Sequence, residues 1–339
     1  MWLLLACQAP TSITGTPAID SGVDSAVIGA DTGDSADRVD TGESGAETGT
    51  TDSGIDTGAI TVPPACPVFG EPVQTGWVAD ASLDEISGVA PSYKNPGVLW
   101  VIMDHGNAAE IYALDEFGST LATIDVDGAE NVDWEDIDLV ACGAGTCLVV
   151  ADTGDNERTR TDLALIVVEE PVLDGSTTEY TLPGQPYGFS WPNAGEDNEA
   201  LTHTSDDRFV LVSKRTDSSA GVYTLPMFVD GAVATSLGQV VTLEAPPQVQ
   251  EPIGAPVTSA ALWPDDSLLL LRTYPGTISF SLPDGIDAIE KSTLSPVPAP
   301  PLSHDEAIAV DVVRDGYWTI PEADPEDGSP IWFVPCLRE

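Results

Sequence analysis

One unit recurs five times between Asp84 and Ala323: a small or acidic residue, a short apolar strand, a turn, and a second apolar strand ending in a polar residue. The copies read DEISGVAPS…VLWVIMDHG from Asp84, WEDIDLV…TCLVVADTGDN from Trp134, NEALTHTS…RFVLVSKR from Asn198, TSAALWP…SLLLLRTYP from Thr258 and DEAIAVDVV…YWTIPEA from Asp305. Self-similarity at an interval of tens of residues marks a repeat architecture, and strand-only units of this size are propeller blades. The fold class is therefore all-β, a five-bladed β-propeller of four-stranded blades.

The aligned positions Glu85, Glu135, Glu199, Ser259 and Glu306 lie 50, 64, 60 and 47 residues apart. Only 34 residues remain from Glu306 onward, one strand short of a blade, and Cys66 to Asp84 supplies 19 more, including VFGEPVQTGWV. A last blade closed by this N-terminal strand accounts for the chain. Six blades would need another copy of the unit, and none is present.

The cysteines agree with that closure. Cys66 opens the N-terminal strand and Cys336 ends the last one, so pairing the two strands, about 5 Å apart, brings the thiols within disulfide reach. Cys142 and Cys147 flank Gly-Ala-Gly-Thr between two apolar runs, the neck of a hairpin. Cys66 with Cys336 and Cys142 with Cys147 are the expected disulfides, free buried thiols being the alternative. The first would close almost the whole domain, which the chain-entropy treatment values on the order of 5 kcal/mol as an upper figure.

The fifth cysteine bears on the compartment. MWLLLACQ has an apolar stretch ending Leu4-Leu5-Ala6-Cys7, which resembles a bacterial lipobox with Cys7 as the lipidated residue, although only six residues precede it and none is basic. Residues 1–7 are thus expected to be a lipoprotein-like signal, and the protein to be exported as an outer-membrane, periplasmic or cell-surface lipoprotein. No other stretch approaches the roughly 18 apolar residues of a spanning helix, so the membrane is reached by the lipid anchor only.

Residues 8–65 change character completely. Asp-Thr-Gly and its variants recur there at irregular spacings of nine, seven, five and four residues, and no aromatic residue occurs. Such a segment cannot bury enough apolar surface to offset the entropy of ordering it, so it is expected to be a disordered linker with a reach on the order of 40 Å, ahead of a propeller domain at 66–339. The chain carries 56 acidic against 11 basic residues, a net charge of −45, of which only −9 belongs to the linker. A field of that sign repels nucleic acid, which is excluded as a partner, and attracts divalent cations wherever carboxylates cluster.

The repeat places such clusters. In a propeller the first strand of each blade lines the central channel, so the recurrent Glu85, Glu135, Glu199 and Glu306, with Ser259 as the exception, should gather at one end. Beside them should lie the residues ending the second strands: Asp104, Asp152, Lys214, Arg272 and Glu322. Glutamates around a narrow axis repel unless cations or protons neutralise them. Ca2+, taking six to eight oxygens, suits such a ring; hydrogen bonding of each Glu to the backbone of the next blade is the alternative. Asp152-Thr153-Gly154-Asp155-Asn156 and Asp104-His105-Gly106-Asn107 add oxygen-bearing turns, which also occur simply as turns. Neither fits the EF-hand spacing.

ISGVAPSYKNPGVLWVIMDHGN, VDWEDIDLV, LVVADTGDN and NEALTHTSDDRFVLVSK resemble the bacterial secreted propellers grouped with the phytase-like esterases and the SdiA-regulated periplasmic family, over roughly Leu83 to Ala323. The resemblance implies a propeller with a metal-rich axial face and, in some relatives, phosphoester hydrolysis. By position it implies Glu85, Asp104, Glu135, Asp152, Glu199 and Glu306, with Asp155 from the adjoining turn, as the calcium set, and Lys214 and Arg272 as anion contacts and candidate catalytic residues. A calcium phytase site needs several basic residues, and only that pair falls at the motif ends.

Other chemistries fare worse. His105, His203 and His304 sit at different offsets from the motif, which argues against one shared transition-metal focus. There is no Gly-x-Ser-x-Gly elbow, P-loop or dinucleotide fingerprint. Tryptophans in or beside strands are expected as core between blades. The sequence thus leaves a monomeric, calcium-associated surface binding module for a small-molecule, glycan or protein ligand, a calcium-dependent phosphoesterase, or a purely structural surface protein.

Overall fold

The chain divides into two units, Met1–Thr57 and Gly58–Glu339. The computed structural model describes residues 63–78, 80–242, 256–300, 305–322 and 328–338, all in the second unit. Cys7, the expected linker up to residue 62, and His304 lie outside the described residues. Residues 63–65, expected as the end of the linker, are held by the domain: Trp263 Nε1 donates to the Pro63 carbonyl at 2.9 Å and Ala65 N to Asp265 Oδ2 at 3.2 Å.

The chain enters on β1 (Val73–Val78) and builds blade 1 from β2 (Ile86–Pro91), β3 (Val98–Met103), β4 (Glu110–Asp115) and β5 (Thr120–Asp127). Next come β6 (Trp134–Cys142), β7 (Gly145–Asp152), β8 (Ala164–Glu169), β9 (Glu179–Pro183) and β10 (Gln185–Ser190). Blade 2 is β6, β7, β8 and β10. Then follow β11 (Asn198–His203), β12 (Arg208–Ser213), β13 (Ser219–Pro226), β14 (Ala232–Val233) and β15 (Thr235–Val241), of which all but β14 form blade 3. Blade 4 comprises β16 (Val257–Leu262), β17 (Leu268–Thr273), β18 (Gly276–Ser281) and β19 (Thr293–Pro296). Blade 5 is β20 (Asp305–Asp311), β21 (Gly316–Pro321) and β22 (Ser329–Pro335), completed by β1 running antiparallel to β22.

The inner strands β2, β6, β11, β16 and β20 contact one another in that order and β20 returns to β2, which closes the five-bladed ring. Both expected disulfides are formed, Cys66–Cys336 with Cα atoms 5.6 Å apart and Cys142–Cys147 at 5.8 Å. The first lies at the seam that β1 closes, next to the Phe69–Cys336 bridge.

Blade stacking explains the sequence pattern. A strand covered on both faces by neighbouring blades reads as an unbroken apolar run, as in Val-Leu-Trp-Val-Ile-Met of β3, buried throughout. The outer β5, Thr-Leu-Ala-Thr-Ile-Asp-Val-Asp, is buried only at alternate positions from Ala122 onward. Five apolar clusters fill the five seams; Trp100 and Trp134 meet between blades 1 and 2, Trp263 between 4 and 5, and Trp318 between 5 and 1. Trp77 departs from the expected tryptophan core, being 42% exposed on outermost β1. Each first hairpin carries one left-handed residue, Gly97, Gly143, Asp207, Asp266 or Asp315, of the types that tolerate that conformation in a tight turn.

The uneven repeat interval has a structural cause. β9, spliced between β8 and β10, leaves its own blade and pairs in parallel with β5 of blade 1. Likewise β14 leaves blade 3 and pairs in parallel with β10 of blade 2. The two longer intervals of the repeat are those that hold these lent strands.

A second regularity corrects the alignment. Every inner strand carries a β-bulge near its start, an extra residue unopposed by its partner strand. The bulged residues are Ser87, Glu135, Glu199, Thr258 and Glu306. Glu85 therefore lies two positions before the bulge that its supposed counterparts occupy, and Ser259 follows the bulge by one. Counted from the bulge, the residues just beyond the second strand are Asp104, Thr153, Lys214, Tyr274 and Glu322, so Asp152 and Arg272 leave the expected set.

Candidate functional site

The bulges gather carboxylates at one mouth of the channel. A cavity of about 210 Å³ is lined there by Glu85, Asp104, Asp133, Glu135, Glu199, Glu306 and Glu322, together with Lys214, His105 and Tyr274. Five of the seven residues expected as calcium ligands, Glu85, Asp104, Glu135, Glu199 and Glu306, are thereby brought together.

Asp152 and Asp155 do not line it, because their oxygens are committed to the loop behind. Asp152 Oδ1 accepts from the Asp133 backbone N–H at 3.0 Å and from Arg160 Nη2 at 3.0 Å. Asp155 accepts from Thr159 N and Arg160 N, each at 2.8 Å, and so caps its own turn. The loop's service to the cavity comes from Gly154: a Cβ there would lie 2.0 Å from Glu135 Oε1 and 2.5 Å from Asp133 Oδ2. Glycine lets the backbone pass directly beneath two carboxylates.

Arg272 is also absent from the lining. It is fully buried, donates from Nη1 to Thr277 Oγ1 at 2.5 Å, and stands in the field of Glu306, while burial works against its charge. Lys214 takes the expected place, with Nζ 2.8 Å from Glu199 Oε2 and 5.4 Å from the Tyr274 ring centroid. Burial opposes its ammonium, yet Glu199 and Tyr274 more than compensate and hold it charged.

The carboxylates differ sharply in how they are satisfied. Glu85 accepts from Asn107 Nδ2 at 2.9 Å and Glu199 from Lys214. The carboxylates of Glu135 and Glu306 accept no hydrogen bond from any described residue. The hydrogen bonding between neighbouring blades considered for the glutamates belongs instead to the residue after Glu135. Asp136, 1% exposed, reaches across the axis and accepts from Leu201 N at 2.8 Å in blade 3 and from Ser259 Oγ at 3.0 Å in blade 4. Ser259 in turn accepts from Ile308 N of blade 5 at 3.2 Å.

Electrostatics follow from these environments. Burial, then the neighbouring Glu199 charge, raises Glu135 and Glu306 well above the usual carboxylate range. Burial pushes Glu199 to about 7 even though Lys214 pulls the other way. At the rim, Asp133 is raised by burial and by Asp104, and His105 is held protonated to higher pH by Asp104. His105 Nδ1 lies 3.2 Å from Asp104 Oδ2 and 3.7 Å from Asp133 Oδ1. Ligand atoms of Asp104, His105 and Asp133 fall within 4.8 Å of one another, close enough to share one ion. Chemically the cavity is a set of hard oxygen donors with one ammonium and one rim imidazole.

Tyr274 enters the site through strand register. The apolar run Leu-Leu-Leu-Leu-Arg-Thr points to Arg272 as the strand-end residue, whereas pairing carries the equivalent position on to Tyr274.

No protein-family model matches the chain, and no curated protein matches it. Among solved structures it is similar to that of U3-55K, at 11% identity over 74% of this chain and 67% of that one, with a TM-score of 0.37. It is likewise similar to the RRP9 WD40 repeats, at 12% identity over 74% and 67%, TM-score 0.38. A protein from Lactobacillus plantarum is similar at 13% identity over 75% and 84%, TM-score 0.38. Each is a likeness of fold alone; the chain itself is a five-bladed β-propeller.

Proposed function

We propose that the acidic mouth holds a divalent cation, Ca2+ being the ion its donors suit, and that the protein is a calcium-associated binding module working outside the cytoplasm. One observation carries the reading: Glu135, buried, and Glu306, half-buried, face a common cavity, and their carboxylates accept no hydrogen bond from any described residue. A buried carboxylate without a donor costs several kcal/mol unless a proton or a cation meets it. Oxygen donors converging from several blades fit a hard ion of six to eight ligands, with the remainder supplied by water or by the bound partner. The rim group Asp104, His105 and Asp133 gives that partner its approach.

Export rests on the two disulfides, which persist in oxidising compartments, and anchoring on Cys7. A small-molecule, glycan or protein ligand fits this reading. Phosphoester hydrolysis is the second reading, favoured by the presence of Lys214 in the cavity. It would rest on Lys214 alone, since Arg272 is sealed from the cavity.

The test is thermal unfolding of the full chain in Ca2+ and in chelator, with metal analysis of the purified protein. At a hundredfold excess over Kd the ion adds about 2.7 kcal/mol, a rise in Tm of roughly 5–10 °C for a domain of this size. The rise should vanish in Glu135→Gln combined with Glu306→Gln. A wild-type protein that carries no metal and shows no shift sinks both the calcium and the phosphoesterase readings.

A further inference from the structure

We propose that the opposite mouth of the channel is a second binding site, taking a small, uncharged, largely apolar molecule whose single hydrogen-bond acceptor rests on His203. A cavity of about 250 Å³ opens there, walled by the far halves of the inner strands. Val89, Leu139, Leu262, Ile308 and Val310 supply apolar walls from blades 1, 2, 4 and 5, and β11 of blade 3 supplies His203. No residue lines both this cavity and the acidic one, and the Asp136 hydrogen bonds cross the axis between them. The proposal therefore stands apart from the ion.

Its polar end is built. His203 Nδ1 lies 2.6 Å from Asp138 Oδ2 on β6, the two side chains being 32% and 21% exposed. The other Asp138 oxygen accepts from Leu139 N at 2.8 Å, which fixes the carboxylate and through it the ring. With Nδ1 committed, Nε2 is the ring atom left for a ligand, and it makes no hydrogen bond to any described residue. Burial disfavours the imidazolium, but Asp138 outweighs it with help from Asp266 and Asp207, so the ring keeps its second proton to higher pH than a free imidazole, and in that form Nε2 donates while Nδ1 serves Asp138.

The same features select the ligand. The lining also includes Tyr93 and the threonines Thr146 and Thr202, whose hydroxyls are bonded to Glu170 and to Leu262 N. A mainly apolar wall with few open polar groups suits a molecule with one polar atom on an apolar body. Asp138 and His203 cancel one another's charge, so a charged ligand would enter among apolar walls without a counter-ion. A carbonyl or ether oxygen on an aromatic or branched aliphatic frame meets both conditions. An apolar ligand lacking the acceptor leaves the Nε2 proton unmet when it displaces water, and so binds more weakly.

Acetophenone and ethylbenzene, nearly alike in shape and differing by the carbonyl, test this on the unaltered full chain with the His203 ring followed by NMR. The expected result is saturable binding with acetophenone about tenfold tighter, a difference of about 1.4 kcal/mol, and a shift of the His203 ring resonances. In His203→Phe the preference between the two should disappear. Absence of saturable acetophenone binding, equal affinity for the two probes, or binding that leaves the His203 ring undisturbed overturns the proposal. Those outcomes come from the wild-type protein, so they hold whether or not the variant folds.

Discussion

Asp136 is the residue on which the ring most visibly depends, and Asp136→Ala measures how much. Its carboxylate is the acceptor for Leu201 N–H at 2.8 Å and Ser259 Oγ at 3.0 Å, and lies 3.4 Å from Ala260 N. Removing it leaves the first two donors without their partner at buried positions, at about 1–3 kcal/mol each. Two effects work the other way. The Ser259 hydroxyl can turn to the Ile308 carbonyl, 3.4 Å away, and the variant no longer buries a carboxyl whose ionisation burial already disfavours. The net loss should be about 2–4 kcal/mol, a fall in unfolding midpoint of roughly 5–15 °C. Thermal and urea unfolding in chelator, so that no ion contributes, reads it. Asp136→Asn keeps an acceptor oxygen and should lose less than half as much. An alanine variant within about 0.5 kcal/mol of wild type would refute the reasoning, and equal damage from both variants would show that charge, not acceptance, is what matters.

Three further outcomes are expected. Gly154→Ala should displace the Glu135 and Asp133 side chains rather than the backbone, so isothermal titration should show Ca2+ affinity falling more than tenfold while the unfolding midpoint in chelator moves little. Serine replacement of Cys66 and Cys336 should destabilise by up to about 5 kcal/mol, against about 2 kcal/mol for Cys142 and Cys147, since the loops closed span 270 and 5 residues; denaturant midpoints of the two double variants decide it. The His203–Asp138 pair holds the His203 pKa above 6.5 in the folded state, so its stabilisation is complete below about pH 6.5 and fades as pH rises through the folded value. The stability difference between wild type and His203→Gln should accordingly be widest near pH 5.5 and close at alkaline pH.

The sequence disclosed the ring better than the site. Apolar pairs of strands survive misalignment by a residue or two, so the five copies, the closing strand and both disulfides could be read from spacing alone. Side-chain direction cannot, because in a strand a slip of one residue turns every side chain to the other face. Asp152 and Thr153 show this: one step separates a residue bound into the loop behind from the register position equivalent to Lys214. The bulges that set the register have no composition of their own, since Ser87, Glu135, Glu199, Thr258 and Glu306 share only a polar side chain. The interval of 64 residues concealed a different fact, that part of one repeat belongs to the edge of the previous blade. Asp136 gave no signal either, being one acid among 56.

The lent strands make this propeller less modular than its five copies imply. Blade 1 is finished by a segment from within blade 2, blade 2 by a segment from within blade 3, and blade 5 by the first strand of the domain. Excising blade 2 would strip β5 of its cover and expose an edge open to pairing with other chains. Between blades 3 and 4, and between blades 4 and 5, by contrast, no described strand crosses from one sheet to the other. Those two junctions are where recombination could cut the ring and leave every sheet its own strands.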